Sequence, residues 1–172
     1  GRGWGGPSSI KARVYIRGHA ADYERWSQDG NAGWSYAEVL PYFKRAESFE
    51  GSGDDAYHGH SGPLGVKKSD RTDDLLLDRF VQAGEQAGFP LTDDFNGRQQ
   101  EGFSRYEHTM KGTKRCSAAR AYLHPVRDRQ NLEILSHTTV DRIRFENRRA
   151  VAVDIVVKGQ RRTLTARKEI IL

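Results

Sequence analysis

The stretch Leu132–Leu172, LEILSHTTVDRIRFENRRAVAVDIVVKGQRRTLTARKEIIL, does most to decide the fold class. Its β-branched and aliphatic residues fall into four segments: Leu132–Leu135, Val140–Phe145, Val151–Val157 and Thr163–Leu172. Asn147 and Gly159-Gln160 supply turn residues between these segments. The pattern predicts a β-meander that leads into a final buried strand, which ends in the apolar run Ile170-Ile171-Leu172.

Residues 19–50 carry a helical pattern with one internal start signal and one interruption. Ser35 and Glu38 have the spacing of a capping box, just before the apolar pair Val39-Leu40. Pro41 interrupts the pattern, because proline lacks the backbone N–H and its ring clashes with the preceding turn. We therefore expect two short helices or one kinked helix in this region.

Glycine and proline punctuate residues 51–72, which predicts a loop. A helix is predicted from about Thr72 to Ala87, and Gly88 follows it at a position that favours glycine. One face of this helix collects four small or apolar residues: Leu77, Phe80, Val81 and Gly84. A further short helix is predicted from Ser117, as its N-cap, to near Pro125.

The chain opens with a glycine-rich loop, Gly1–Ser9. Backbone N–H groups in such a turn can converge on an anion, because no Cβ blocks a close approach. Four residues would offer such groups together with two hydroxyl donors to a phosphate: Gly5, Gly6, Ser8 and Ser9. The same glycines equally suit a tight turn that only lets two elements pack, and the loop does not match the G-x-G-x-x-G dinucleotide pattern.

The composition is polar for a globular domain, with 36% apolar residues and a mean hydropathy of −0.78, against about 45–50% apolar in typical domains. A polar single domain and a segment of a longer chain both remain open on this ground. The glycine loop at the start and the apolar run at 170–172 favour a chain cut at both ends. The absence of an apolar stretch of about 18 residues predicts no membrane span. The single Cys116 excludes an intramolecular disulfide and suits the cytoplasm.

The net charge of +5 arises from 28 basic and 23 acidic residues that are interspersed along the chain. One concentration of four cations stands out: Lys111, Lys114, Arg115 and Arg120. Aromatic residues lie outside this segment, whereas single-stranded nucleic acids are held by aromatic stacking as well as by charge. The segment therefore favours a solvated loop over a nucleic-acid site.

Three short motifs suggest other chemistry, and each is better explained as a loop. Gly59–Gly62 nearly matches a hydrolase nucleophile elbow, but Pro63 replaces the final glycine. His58 and His60 supply only two of the four ligands that a structural zinc requires. Asp93–Gly97 resembles part of a calcium loop, but it lacks the required ligand alternation and the terminal glutamate. No metal site is predicted.

A series of motifs runs through the whole chain in a fixed order. It begins with Gly5-Gly6-x-Ser8-Ser9 and Val14-Tyr15-Ile16-Arg17-Gly18. It continues with Trp34-Ser35-Tyr36, Leu40–Lys44, Tyr57-His58-Gly59, Gly62-Pro63-Leu64, Asp93–Gly97, Glu101-Gly102-Phe103, Ala121-Tyr122-Leu123, Arg129–Leu132, Ala150–Val153 and Lys168–Leu172. This order resembles that of the glucose–methanol–choline (GMC) oxidoreductase family, and within it the choline dehydrogenase-like branch. The resemblance covers essentially all 172 residues.

The resemblance implies an interior segment of an FAD-dependent alcohol dehydrogenase or oxidase with an α+β fold. A helical and loop-rich lid and substrate region would precede a β-meander and a strand of the FAD-binding parallel sheet. Residues 1–20 and 117–172 would belong to the FAD-binding domain, and residues 21–116 to the lid and part of the substrate-binding domain. The residues implied to contact FAD are Gly5, Gly6, Ser8, Ser9, Ile10, Lys11 and, through its backbone, Val140.

Three positions in the opening loop depart from the pattern of the family or of some members. Pro7 stands where Ser or Cys is common, and it removes one N–H from the loop. Lys11 stands where Asn is common, and a cation there would favour the anionic reduced flavin. Ile10 occupies the position at which some members attach flavin through a histidine, so the resemblance implies FAD without that bond.

The family's dinucleotide fingerprint and its acid/base histidine have no counterpart in these residues. No catalytic residue is therefore predicted here, and this chain alone is expected to be inactive. In the intact enzyme a small-molecule alcohol would transfer hydride to the flavin while a base takes the hydroxyl proton. We expect a cytoplasmic protein that forms a homo-oligomer, with no nucleic-acid partner. The rival hypothesis is a non-catalytic module that binds a phosphate ligand or nucleic acid.

Overall fold

The computed structural model describes residues 2–68 and 74–172 of the chain. The chain divides into two compact units, Gly1–Val126 and Arg127–Leu172. Helices and sheets are mixed in the first unit, and the second is built from strands. This agrees with the α+β class that the sequence predicts. Within the described residues, no helix combines the length and the apolar character needed to cross a bilayer.

Two helices begin the first unit, α1 (Ala20–Gln28) and α2 (Tyr36–Ala46). The capping box predicted at the start of α2 is present, and the Ser35 N–H donates to Glu38 Oε2 at 3.1 Å. Gly30 and Gly33 adopt left-handed backbone angles, with φ of 99° and 88°. The turn that separates the two helices is therefore made by glycines, which adopt this conformation at no steric cost.

Pro41 lies inside α2 and does not end it. The predicted division into two short helices is correct, but the break falls before Ser35 rather than at Pro41. A proline removes one backbone hydrogen bond from a helix. The capping box and the packing of Phe43 against Tyr23, whose ring centroids lie 5.8 Å apart, hold the helix on either side of it.

A small sheet follows α2, and the sequence did not predict it. Strand β1 (Glu47–Glu50) pairs in parallel with β2 (Leu64–Lys68), and β2 pairs antiparallel with β3 (Glu107–His108). The prediction of helix up to residue 50 and loop over 51–72 is therefore wrong at both strands. The partners of each strand lie far along the chain, so tertiary pairing decides the structure more than local propensity does.

Helix α3 (Leu75–Gln86) matches the predicted helix, and Asp74 caps it by accepting the Leu77 N–H at 3.2 Å. Thr72, the predicted start, lies outside the described residues. Gly84 is buried against the ring of Phe103, which leaves no room for a side chain at that position.

Strands β4 (Met110–Lys111) and β5 (Lys114–Arg115) form a short antiparallel hairpin. A π-helical turn over Ala119–Leu123 and a 3-10 turn over His124–Val126 come next. Ser117 begins this region, and its carbonyl accepts the Ala121 N–H at 2.9 Å. The short helix predicted from Ser117 to near Pro125 is thus present in an irregular form.

The second unit is an antiparallel meander of β6 (Thr138–Glu146), β7 (Arg149–Val157) and β8 (Gln160–Thr165). The turns fall at Asn147-Arg148 and Lys158-Gly159, all with positive φ, close to the predicted positions. Asp154 is buried on β7, where it accepts from Arg144 Nε at 2.9 Å and from the Thr163 hydroxyl at 2.7 Å.

Two predicted strand segments of this unit are wrong. Residues 132–135 lie outside any strand, and the predicted strand over residues 163–172 ends at Thr165. Ile171 and Leu172 are almost fully exposed instead of buried. A parallel strand requires neighbours that satisfy its backbone groups, and no described strand pairs with residues 170–172.

Candidate functional site

The opening loop has the backbone of a glycine turn. Gly5 and Gly6 adopt left-handed conformations, with φ of 85° and 52°, and a 3-10 turn covers Gly6–Ser9. A side chain on Gly5 would lie 2.7 Å from Ser9 Oγ, so that position has room only for glycine. A side chain on Gly6 would meet nothing within 4 Å, so the loop presents an open face there.

Both serine hydroxyls of the loop hold the loop itself. Ser8 Oγ donates to the Gly5 carbonyl and accepts the Ala118 N–H at 2.9 Å. Ser9 Oγ donates to the Trp4 carbonyl at 2.7 Å. The predicted hydroxyl donors therefore fix the shape of the loop and attach it to the start of the π-helical turn.

The end of the loop exposes one apolar and one cationic side chain. Ile10 is 71% exposed, and Lys11 is also exposed. The guanidinium of Arg115, on β5, donates to the Lys11 carbonyl at 2.6 Å and so holds the end of the loop. An open glycine face and an exposed apolar side chain fit a flat aromatic ring such as the isoalloxazine of FAD, and a cation fits its anionic phosphates.

The predicted contact residues are distributed over both units. Six of them form the one loop just described: Gly5, Gly6, Ser8, Ser9, Ile10 and Lys11. Val140 lies in β6 of the second unit with an exposed side chain.

Arg13 is unusual in two respects, and neither has a signature in the sequence. Its backbone is left-handed with φ of 76°, which costs a non-glycine residue about 1–2 kcal/mol. Its Nε is buried without a hydrogen-bond partner, while Nη1 lies 3.3 Å from the Met110 sulfur. Strain of this kind concentrates near functional sites. Here it lies two residues after Lys11.

A buried ionic network lies at the centre of the first unit. Glu47 is fully buried, and its Oε2 accepts from Arg17 Nη2 at 2.8 Å, His58 Nδ1 at 3.1 Å and the Gly59 N–H at 3.1 Å. On the other side of the ring, His58 Nε2 lies 2.7 Å from Asp94 Oδ2. Two carboxylates thus clamp one imidazole, and a guanidinium pairs with one of them.

The clamp fixes the protonation of His58. Burial alone would lower its pKa, but the hydrogen bonds to Asp94 and Glu47 outweigh burial and raise the pKa to about 9. Burial likewise opposes ionisation of Asp94, yet the contacts with His58 and with the Asn96 N–H lower the pKa of that carboxyl. His58 is therefore a structural cation at neutral pH and cannot accept a proton as a general base.

Asn96 connects this network to the segment that follows the opening loop. Its Oδ1 accepts the Arg17 N–H at 2.8 Å, and its Nδ2 donates to the Tyr15 carbonyl at 3.0 Å and to Glu107 Oε2 at 3.2 Å. Burial raises the pKa of Glu107. Sequence reasoning treated Asp93–Gly97 as an irregular loop and missed this role.

The two histidines considered as metal ligands have other partners. His60 Nε2 lies 2.8 Å from Asp55 Oδ1, and its Nδ1 lies 3.1 Å from the Phe49 carbonyl oxygen. His58 belongs to the buried network. Across the described residues, no three potential ligands come together as a metal site.

An aromatic cavity of about 430 Å³ lies beside α3 and β3. Its lining includes Leu77, Phe80, Phe95, Phe103, Tyr106 and His108. Burial and the nearby Arg13 lower the pKa of His108, so this imidazole is neutral at pH 7. Apolar walls with few polar groups are typical of small-molecule sites.

Comparison with known proteins gives a match over the full length of the chain. The sequence model of a family described as GMC oxidoreductase matches residues 1–172. The human protein named choline dehydrogenase, mitochondrial, is 50% identical over all 172 residues, which cover 29% of its length. The oxygen-dependent choline dehydrogenase of Brucella ovis is 46% identical, and this chain covers 31% of it.

Solved structures agree with the sequence comparison. Pyridoxine 4-oxidase from Mesorbium loti superposes with a TM-score of 0.83 and 29% identity, over 92% of this chain and 31% of that one. An FAD-dependent oxidoreductase from Chaetomium thermophilum gives a TM-score of 0.84 and 26% identity, over 94% of this chain and 30% of that one. The chain thus spans about three tenths of the proteins it matches.

Proposed function

The chain belongs to the glucose–methanol–choline (GMC) oxidoreductase family, and from that premise we propose that it is a segment of an FAD-dependent, choline dehydrogenase-like alcohol dehydrogenase or oxidase. The observation that carries the proposal is the 50% identity to a choline dehydrogenase across every residue of the chain. The activity would be that of the whole protein. The comparisons do not support the rival hypothesis of a non-catalytic phosphate-ligand or nucleic-acid module.

The opening loop is the part of this chain that would hold FAD, which when bound accepts hydride from the alcohol carbon. The open face at Gly6 would admit the cofactor, and the exposed Ile10 would be covered by it. Lys11 would place a positive charge beside it, and a fixed charge of this kind stabilises developing negative charge. Arg115 keeps Lys11 in position through its backbone carbonyl.

We assign residues 1–20 and 117–172 to the FAD-binding domain and residues 21–116 to the lid and part of the substrate-binding domain. The hydrogen bond between Ser8 Oγ and the Ala118 N–H supports placing the opening loop with the region after residue 117. The aromatic cavity beside α3 supports a substrate role for the middle of the chain.

The substrate that this kinship favours is a small alcohol, with choline as the first to test. The cytoplasmic location rests on the single cysteine and stays a prediction. The homo-oligomer also stays a prediction.

Purified full-length protein tests the proposal directly. We expect bound flavin in its absorbance spectrum, and we expect that choline or another small alcohol bleaches the flavin band under anaerobic conditions. Protein that folds but holds no flavin, or whose flavin no alcohol reduces, would overturn the proposal.

A further inference from the structure

A second cavity, of about 500 Å³, lies beside the β4–β5 hairpin and the π-helical turn. Four of its lining residues are cations: Lys111, Lys114, Arg115 and Arg120. The sequence predicts that the segment carrying these four cations is a solvated loop. None of the residues that line the cavity carries a carboxylate.

The cations of this basic cavity have almost no counter-charge. The side chains of Lys111, Lys114 and Arg120 form no hydrogen bond or ion pair with any other residue in the described part of the chain. The Arg115 guanidinium donates to the Lys11 carbonyl, which is neutral. Like charges that face one cavity repel one another, so a set of cations around it favours an anion inside it.

Hydrogen bonds to neighbouring segments hold the residues that line the basic cavity. Cys116 is 4% exposed, and its sulfur accepts the Gly65 N–H at 3.3 Å. Gly112 forms the hairpin turn with φ of 56°, and its N–H donates to Glu50 Oε1 at 3.2 Å. The Glu50 carboxylate thus contacts the main chain of the hairpin without lining the cavity. Lys111 and Lys114 therefore extend from a turn whose backbone is anchored.

The remaining walls of the basic cavity are apolar or aromatic: Pro63, Ala121, Tyr122, Pro125 and Val126. Cations alone would suit any anion, but these walls also favour an apolar body. A cavity of this volume matches a small molecule. We propose that the basic cavity binds a small organic anion, in which a carboxylate or phosphate group is joined to an apolar, preferably flat, body.

This site shares no lining residue with the face of the opening loop assigned to flavin, but Arg115 links the two. Arg115 lines the basic cavity and also binds the Lys11 carbonyl. An anion that pulls on the Arg115 guanidinium would therefore shift the end of the opening loop. Occupation of the cavity gives a second readout, a change in the absorbance spectrum of the bound flavin.

The test uses the full-length protein with flavin bound and calorimetric titration of three probes. Phenyl phosphate carries both the anion and the flat apolar body, inorganic phosphate carries the anion alone, and phenol carries the body alone. We expect phenyl phosphate to bind at least about tenfold more tightly than either of the others. Lys114→Gln and Arg120→Gln should each weaken it about tenfold, as expected for loss of a hydrogen bond to a charged group.

Arg162→Gln is the matched control, because it removes one exposed cation from β8 and none from the cavity. It should leave the affinity for phenyl phosphate unchanged. If Arg162→Gln and Arg120→Gln weaken phenyl phosphate binding equally, the net charge of the protein explains the effect, and the proposal is overturned. A failure of phenyl phosphate to bind would also overturn it, as would phenol binding as tightly as phenyl phosphate.

Two further outcomes decide where the anion binds. Binding of phenyl phosphate only to flavin-free protein would assign these cations to the flavin site and overturn a separate site. Inorganic phosphate binding as tightly as phenyl phosphate would overturn the apolar part of the proposal. None of these measurements depends on alcohol turnover. Failure of the cavity proposal is therefore distinguishable from failure of the proposed enzymatic function.

Discussion

His58 Nε2 and Asp94 Oδ2 lie 2.7 Å apart and join two segments that are 36 residues distant in sequence. The opposite side of the same ring faces Glu47 on β1. One imidazole thus connects a strand of the small sheet, the loop that precedes β2 and the loop that precedes β3. Because the ring is charged and buried, loss of one of its partners destabilises the first unit.

Glu47→Gln should destabilise the full-length protein by about 3–5 kcal/mol, because it leaves the buried Arg17 and His58 without their shared counter-charge. The denaturation midpoint measures this loss. Asp22→Asn is the control, because the side chains of Arg25 and Asp22 are 67% and 49% exposed. Exposed ion pairs contribute only about 0–1 kcal/mol to the free energy of unfolding. Equal midpoints for the two variants would contradict the prediction.

The buried network should also make stability depend on pH. The folded pKa of His58, about 9, is above its ordinary value of 6.5. Its contribution is therefore full below pH 6.5 and is lost as the pH rises through 9. The folded pKa of Asp94 is below its ordinary 3.8, so its contribution is full above pH 3.8 and is lost as the pH falls further. Stability from this network should be highest between these limits.

Denaturation midpoints of the full-length protein between pH 6.5 and 9 check the alkaline half of this window. We expect a decline over that range in the wild type and a flatter profile in His58→Gln. His124→Gln, at a histidine outside the network, should keep the wild-type slope. An unchanged slope in His58→Gln would show that other groups cause the decline.

Gly6→Ala should reduce the flavin content of the purified full-length protein several-fold. The added Cβ meets nothing in the protein within 4 Å, so it would clash only with a cofactor on the open face of the loop. Gly33→Ala is the control and should keep its flavin, because Gly33 also has a left-handed backbone, with φ of 88°, and open space around the added Cβ. If both variants keep full flavin absorbance, the flavin does not pack on Gly6.

Acid precipitation should release the flavin of the full-length protein into the supernatant. Ile10 has no nucleophilic atom that could bond to the cofactor. Mass spectrometry of the peptide that contains Ile10 provides the control, and a flavin mass on it would refute the prediction.

The elements that sequence predicted well are specified by neighbouring residues. The capping box of Ser35 with Glu38 and the turn at Asn147 depend on contacts within a few positions. Strands β1 and β2 were missed because Glu47 pairs with Leu64, seventeen positions away, and no local pattern marks that register. Pro41 was read as a helix break because its cost is local, whereas the packing that offsets it is not.

The residues of the candidate site were likewise predictable only where local backbone geometry decides them. The glycines of the opening loop were predictable because only glycine suits Gly5, where the backbone is left-handed and a side chain has no room. The link of Asn96 to Arg17 and Glu107 was not predictable, since it connects three segments through buried polar atoms. Arg13 gave no signal either, because positive φ at arginine follows from the surrounding structure.

Cys116 is the only thiol of this chain, and its sulfur is enclosed between the Gly65 N–H and the Pro63 carbonyl. Because Cys116 is only 4% exposed, a maleimide reaches its sulfur mainly when this part of the protein opens. The alkylation rate of the peptide that contains Cys116 therefore measures how often this part of the protein opens in solution, and it does so without an engineered probe.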